Sequence, residues 1–254
     1  MELSILFLIN SAQGIMEVDE QLEFFMSNTL DEAMLLIPTY NEEERLKFVL
    51  IDCKQYFKNI LCVNDGSNDM SYLTAKTFGA SIIINHCINC GQGTALMTGF
   101  KYFIEKTKFK YLITFDSDGQ HLVQDAISML NLAQDKGLDV VFGSRLMKKD
   151  YANNIPLKRK VLINLARVFE RLFYGVKLSD AHNGLRVLNR RACKELLPLQ
   201  SSSMAHATEI TVRILQANLN YEEYPCKILY NKNNKKSQSS LNSLNILSDL
   251  IQKK

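Results

Sequence analysis

The stretch AMLLIPTYNEEERLKFVLI, residues 33–51, decides how the chain reads. Ala33 to Ile37 is an unbroken apolar run stopped by Pro38, which has no N–H to extend a sheet ladder. From Glu42 to Ile51 the apolar residues fall at Leu46, Val49 and Leu50, the spacing of a helix with one face turned inward. Strand, polar loop and helix form one βα unit, and the chain repeats it. Further strands are expected at 60–63, 81–84, 111–115 and 140–142. Helices are expected up to about residue 78, from the Gly91–Gly93 turn to 106, and over 122–134. Short apolar runs alternating with helices predict an α/β fold with a largely parallel, Rossmann-like sheet whose functional loops lie at the carboxyl ends of strands. Beyond Arg145 the pattern changes to a basic helix over 158–174, a strand near 185–188 and a helix over 204–217, so the second half is expected to be mixed.

No Gly/Ser-rich or Pro-rich linker divides these halves, which makes 33–230 one domain. Residues 1–32 read as an acidic arm or helix of unknown role. Residues 231–254 read as a tail that is first basic and then amphipathic, with Leu241, Leu244, Leu247, Leu250 and Ile251 on one side. The 254 residues are 46% hydrophobic and 22% charged, which excludes a disordered chain. A formal charge of +3 is too small for a nucleic-acid binder, so anion recognition is expected to be local. No apolar run approaches the roughly 20 residues of a membrane-spanning helix. Glu2 stands where a secretory signal carries basic residues, so a cytoplasmic location is expected. The six cysteines read as buried, reduced thiols. Cys87 and Cys90, next to His86, have metal-like spacing but no second ligand pair in sequence.

The sharpest chemical feature is YLITFDSDGQH, residues 111–121, which sets two carboxylates one residue apart where an apolar strand ends. Asp116 and Asp118, with Gln120 as a neutral oxygen ligand, suit Mg²⁺ or Mn²⁺ carrying a substrate diphosphate; alternatively they form a polar turn before the next helix. Three other loops follow apolar strands on the same expected edge: 38–42, 64–67 and 86–93. Tyr40 offers a flat face. Asp65 either accepts hydrogen bonds from a base or ribose or caps a turn, and Gly91 and Gly93 permit close backbone approach.

Together with FGSR (142–145), DAHNGLR (180–186) and KSQSS (236–240), these motifs resemble family 2 glycosyltransferases of GT-A fold, in the dolichyl-phosphate mannose synthase-like branch. The resemblance spans roughly 33–240. It implies an inverting, metal-dependent transfer from a nucleotide-diphosphate sugar to a polyprenyl phosphate or a glycan in cell-envelope polysaccharide or glycolipid synthesis. It assigns Pro38, Tyr40, Glu42 and Asp65 to the nucleotide, and Asp116, Asp118 and Gln120 to the metal. Arg145 and Arg186 are placed near donor or acceptor phosphates, and Lys236 in a segment closing over the diphosphate. Lys235 stands where the family commonly has Gly, and Gln92 where a basic residue is frequent. Asp180 is either a general base for a hydroxyl acceptor or a support for the loop carrying Arg186. His206 and Glu209 share a helix face that either approaches the acceptor or forms a surface ion pair. Lys158, Arg159, Lys160, Arg167 and Arg171 either meet an anionic membrane or face water, and the tail either docks on a membrane or membrane partner or packs on the domain. Two rival readings remain: a phosphatase of haloacid-dehalogenase type, whose nucleophile strand Ile-Thr-Phe-Asp-Ser-Asp-Gly resembles, and a noncatalytic nucleotide-sugar-binding subunit of a membrane complex.

Overall fold

The computed structural model describes residues 30–153, 155–180, 182–202 and 205–230. Most of the arm, the tail and Lys236 lie outside the described residues, as do the side chains of Lys158 and Arg159. The first units are β1 (Ala33–Thr39), α1 (Glu43–Cys53), β2 (Ile60–Asn64), α2 (Ser71–Phe78), β3 (Ile82–Asn85), α3 (Gln92–Lys106), β4 (Tyr111–Thr114), α4 (Val123–Lys136) and β5 (Val140–Ser144). There follow α5 (Lys149–Asn153), α6 (Leu157–Tyr174), β6 (Arg186–Asn189), α7 (Arg190–Glu195), α8 (His206–Gln216) and β7 (Tyr221–Pro225).

Among the described residues the strands form one seven-stranded sheet in the order β3-β2-β1-β4-β6-β5-β7. The pairs β3-β2, β2-β1, β1-β4 and β5-β7 are parallel, while β6 runs antiparallel to β4 and β5. The mixed second half is therefore produced by one reversed strand. β7 and the short helices α5 and α7 were not expected from sequence. β7 reads Tyr-Glu-Glu-Tyr-Pro and lies half-buried at the sheet edge, so it lacks the apolar run that announces a buried strand.

β1 and β2 are buried along their whole length, as strands covered on both faces must be. On one face α1 sets Leu46, Val49, Leu50 and Cys53 into a core shared with Val123, Ile127 and Leu130 of α4. On the other, Leu96, Phe100 and Phe103 of α3 pack with Met34, Leu36, Phe142, Leu188 and Ile210. Each such side chain removed from water contributes about 1.5–3 kcal/mol, which holds the helices against the sheet and fixes where their connecting loops emerge.

The strand order reverses between β1 and β4, so the loops after these two strands part and leave a crevice at their carboxyl ends. Because β6 is antiparallel, its amino end, with Gly184, Leu185 and Arg186, reaches the same edge. That is where the acidic motif lies.

Candidate active site

Four loops at this edge are tied to one another by named hydrogen bonds. The loop after β1 is fastened to the loop after β2: Asp65 N donates to the Thr39 carbonyl (2.8 Å), Asn41 N to Ser67 Oγ (3.0 Å) and Glu42 N to Ser71 Oγ (2.8 Å). Pro38 ends inside β1, Tyr40 stands 42% exposed at the rim, and Glu42 is ion-paired with Arg45.

Asp65 is buried and organises the third loop. Its Oδ1 accepts from Cys90 N (3.0 Å), its Oδ2 from Gly91 N (2.7 Å), and His86 Nδ1 lies 2.7 Å from Oδ1. The carboxylate thus anchors the loop entering α3. The glycines of that loop serve approach to backbone: a Cβ on Gly93 would stand 2.0 Å from the Ser201 carbonyl oxygen, and Gly93 N donates to the Ser202 carbonyl (3.0 Å). Gln92 at the start of α3 reaches across the crevice, its Nε2 donating to Asp116 Oδ1 (3.2 Å).

Asp116 follows β4 and is held from several sides. His121 Nε2 lies 3.0 Å from its Oδ2, and the His121 ring packs edge-on against Phe115. Burial opposes ionisation here, but the bond to His121 and the charges of His121, Arg186 and His206 hold the Asp116 carboxyl below the usual carboxylate range. Asp118 is pushed the opposite way, by burial and by the negative charge of Asp116. Its Oδ1 accepts from Gln120 N (3.0 Å), and Gln120 is itself buried, its carbonyl accepting from Leu229 N (2.9 Å). Two carboxylates with opposed shifts thus sit together on one turn.

Gly184, just before β6, has no room for a side chain: a Cβ there would lie 2.2 Å from Asp116 Oδ2. Gly184→Ala must therefore displace the Asp116 carboxylate. Loss of most transferase activity is expected, with the melting temperature lowered only modestly, as a rate assay beside a thermal melt would measure.

Arg145 and Asp180 lie together in the interior. Arg145 Nε and Nη2 donate to Asp180 Oδ2 and Oδ1 (both 2.6 Å), and Arg145 N adds a third bond to Oδ2 (3.0 Å). Burial disfavours both charges, yet each partner holds the other ionised, so Asp180 titrates below and Arg145 above its ordinary range. Neither side chain faces open solvent, at 1% and 4% exposure. This closed pair secures β5 to the loop before β6, with both carboxylate oxygens of Asp180 engaged by Arg145. Arg186 is fully buried on β6; burial brings its pKa down to about 10 although the charges of Asp116, Asp180 and Glu170 pull it upward, and it is still cationic at neutral pH. His206 is buried at the head of α8, whereas Glu209 accepts from Gln200 N and Ser201 N and pairs with Arg213, a local brace of that helix.

Sequence reasoning thus located the four loops but not three of their working parts. In sequence His121 and Gly184 carry no signal of their own, and Gln92 shows only as a residue standing where the family frequently has a basic one. Their partners are distant in sequence or on the turn itself. Cys87 and Cys90 are exposed, while Cys53, Cys62, Cys193 and Cys226 are buried and their thiols pushed up by that burial.

The family model described as glycosyl transferase family 2 matches residues 34–197. The chain belongs to that family. As a family 2 member it is a nucleotide-sugar glycosyltransferase of GT-A fold. It is 31% identical over 215 residues to a UDP-N-acetylglucosamine–dolichyl-phosphate N-acetylglucosaminyltransferase of Methanococcus voltae, covering 77% of this chain and 85% of that protein. It is 27% identical over 204 residues to a polyprenol monophosphomannose synthase of Mycolicibacterium smegmatis, covering 76% of each. In fold it is similar to glucosyl-3-phosphoglycerate synthase of Mycobacterium tuberculosis, solved with Mn²⁺, UDP and glucosyl-3-phosphoglycerate. There the TM-score is 0.66 at 14% identity, over 87% of this chain and 78% of that one. Family membership removes the phosphatase reading, and in this family 2 sheet the acidic strand β4 follows three βα units.

Proposed function

We propose that this family 2 enzyme moves a sugar from a nucleoside diphosphate sugar to a polyprenyl phosphate at a membrane surface, with Mg²⁺ or Mn²⁺ held by Asp116 and Asp118 and Gln120 beside them. The observation that carries this is the pair of carboxylates at the strand-order reversal. The donor set is all oxygen, and Asp118 is raised by burial and by its neighbour's charge, a repulsion that a hard divalent ion relieves. Such an ion, when bound, neutralises charge on the departing diphosphate.

The chain's own residues do the remaining work. His121 and Gln92 orient Asp116, and buried Arg186 lends positive potential beside it. Pro38, Tyr40, Glu42 and Asp65 form the nucleotide end, and Lys236 is assigned to the diphosphate by resemblance alone. An acceptor oxygen attacks the anomeric carbon from the face opposite the diphosphate. The carbon–oxygen bond to the diphosphate breaks, its electron pair leaves with that group, and configuration inverts. A phosphate acceptor is already an anion and needs no base. Asp180, the carboxylate considered as a base for a hydroxyl, is closed on Arg145, which favours the lipid phosphate over a glycan.

The membrane part rests on α6. Leu157, Val161, Leu165, Val168 and Leu172 are all exposed at intervals of three or four residues, one apolar stripe open to solvent beside Arg167 and Arg171. That combination suits a peripheral helix lying in an anionic interface, on the cytoplasmic face. No helix among the described residues is long and apolar enough to cross a membrane. The test is transfer of radiolabelled sugar from a UDP-sugar and, separately, a GDP-sugar to polyprenyl phosphate in anionic vesicles. Wild type is expected to label the lipid with one of the donors, and L165E/L172E to lose vesicle binding and most lipid labelling while melting normally. Labelling of a soluble glycan but never of lipid would contradict the acceptor.

A further inference from the structure

The proposed donor site uses Asp65 and Gln92 but leaves His86 and Cys90 of the third loop without a part. Among the described residues, one group of side chains with mixed metal-ligating atoms clusters together: Asp65, His86 and Cys90, whose carboxylate oxygen, imidazole nitrogen and thiol sulfur all lie within 4.8 Å of one another. The acidic pair at Asp116 and Asp118 offers oxygen alone and suits hard cations; oxygen, nitrogen and sulfur together suit a borderline ion of the zinc class.

We infer that Asp65, His86 and Cys90 form a second metal site, selective for Zn²⁺-class ions, that clamps the loop after β2 to the loop before α3. The geometry supplies what such a site needs beyond its three ligands. His86 presents Nδ1 toward Asp65 Oδ1 at 2.7 Å, while its Nε2 lies 2.9 Å from Thr98 Oγ1. The hydroxyl can donate to Nε2 or accept from it, so the same contact serves the tautomer that offers Nδ1 to a metal, and it holds the ring plane as outer partners of ligating histidines do. The Cys90 thiol is exposed, and its sulfur lies 3.5 Å from the Ile88 carbonyl in a contact that is easily given up. Cys90 N and Gly91 N bind the Asp65 carboxylate, so the backbone carrying the sulfur is already fixed to the carboxylate. Binding takes the thiol proton to solvent and leaves a thiolate on the metal. The fourth position stays open to water. The site shares Asp65 with the nucleotide end of the proposed donor site, and it rests on the geometry of these two loops rather than on which nucleotide the donor carries.

Cobalt(II) reports it directly, because a thiolate on Co²⁺ gives a charge-transfer band in the near ultraviolet. Full-length protein, reduced with a phosphine and freed of metal, is titrated with Co²⁺ in excess Mg²⁺. The band is expected in wild type, C87S and D118N, to vanish in C90S and to weaken at least about tenfold in apparent affinity in H86Q. Zn²⁺ is expected to bleach it and to raise the melting temperature of wild type but not of C90S, whose exposed position leaves its metal-free melting unchanged. No band in wild type, a band surviving in C90S, or one abolished by D118N or by Mg²⁺ would overturn the inference.

Discussion

Asp118→Asn is expected to slow sugar transfer by about 10²–10³-fold, the usual cost of removing one preorganised charge-stabilising group, while leaving the fold intact. Asn keeps the shape of the side chain and an acceptor oxygen for Gln120 N, so what is lost is charge. Burial and the negative charge of Asp116 both oppose a charge on Asp118. Removing it relieves that repulsion, and the variant should melt no lower than wild type. A rate assay paired with a thermal melt measures both signs. A wild-type rate in D118N would take Asp118 out of the site, and a slow rate with a collapsed melt would make its role structural.

Asp180→Ala is the second large effect, and it falls on stability. Breaking a buried ion pair by removing one partner costs about 3–5 kcal/mol, because the remaining charge stays buried without its counterion. Here that charge is Arg145, which three bonds to Asp180 hold in the interior. Urea denaturation of D180A should give this loss at neutral pH, and replacing both residues by apolar ones, as in R145M/D180L, should recover much of it. The pH dependence has a definite sign. Asp180 titrates below its ordinary value when folded, so its contribution is fully present above about pH 4 and is lost as pH falls through the depressed value. The margin of wild type over D180A should therefore narrow in acid and stay constant toward neutrality. Equal stability of the two proteins at pH 7 would refute the buried pair.

How far the sequence could be read depended on whether the deciding partner was local. β1 and α1 were legible because Ala33 to Ile37 is apolar throughout and Leu46, Val49 and Leu50 repeat with helical period, and burial follows that pattern. β7 was not, because Glu222 and Glu223 interrupt it and find their partners elsewhere: Lys136 for one, the Ser179 backbone and hydroxyl for the other. The acidic turn announced itself by two carboxylates at a strand end. That His121 orients the first of them, and that Gly184 leaves room for it from 68 residues away, required the fold. Arg145 and Asp180 were both picked out as site residues, yet their mutual bond joins positions 35 apart across β5 and the loop before β6. Spacing along the chain carries no trace of that.

The donor site itself is tested most directly by isothermal titration of UDP into the metal-free chain and into the chain with Mn²⁺, for wild type, D116N and D118N. UDP binding that tightens at least about tenfold with Mn²⁺ in wild type, and gains little in either variant, is the predicted result. UDP and GDP affinities that Mn²⁺ leaves unchanged in wild type would contradict a metal-diphosphate site at Asp116 and Asp118.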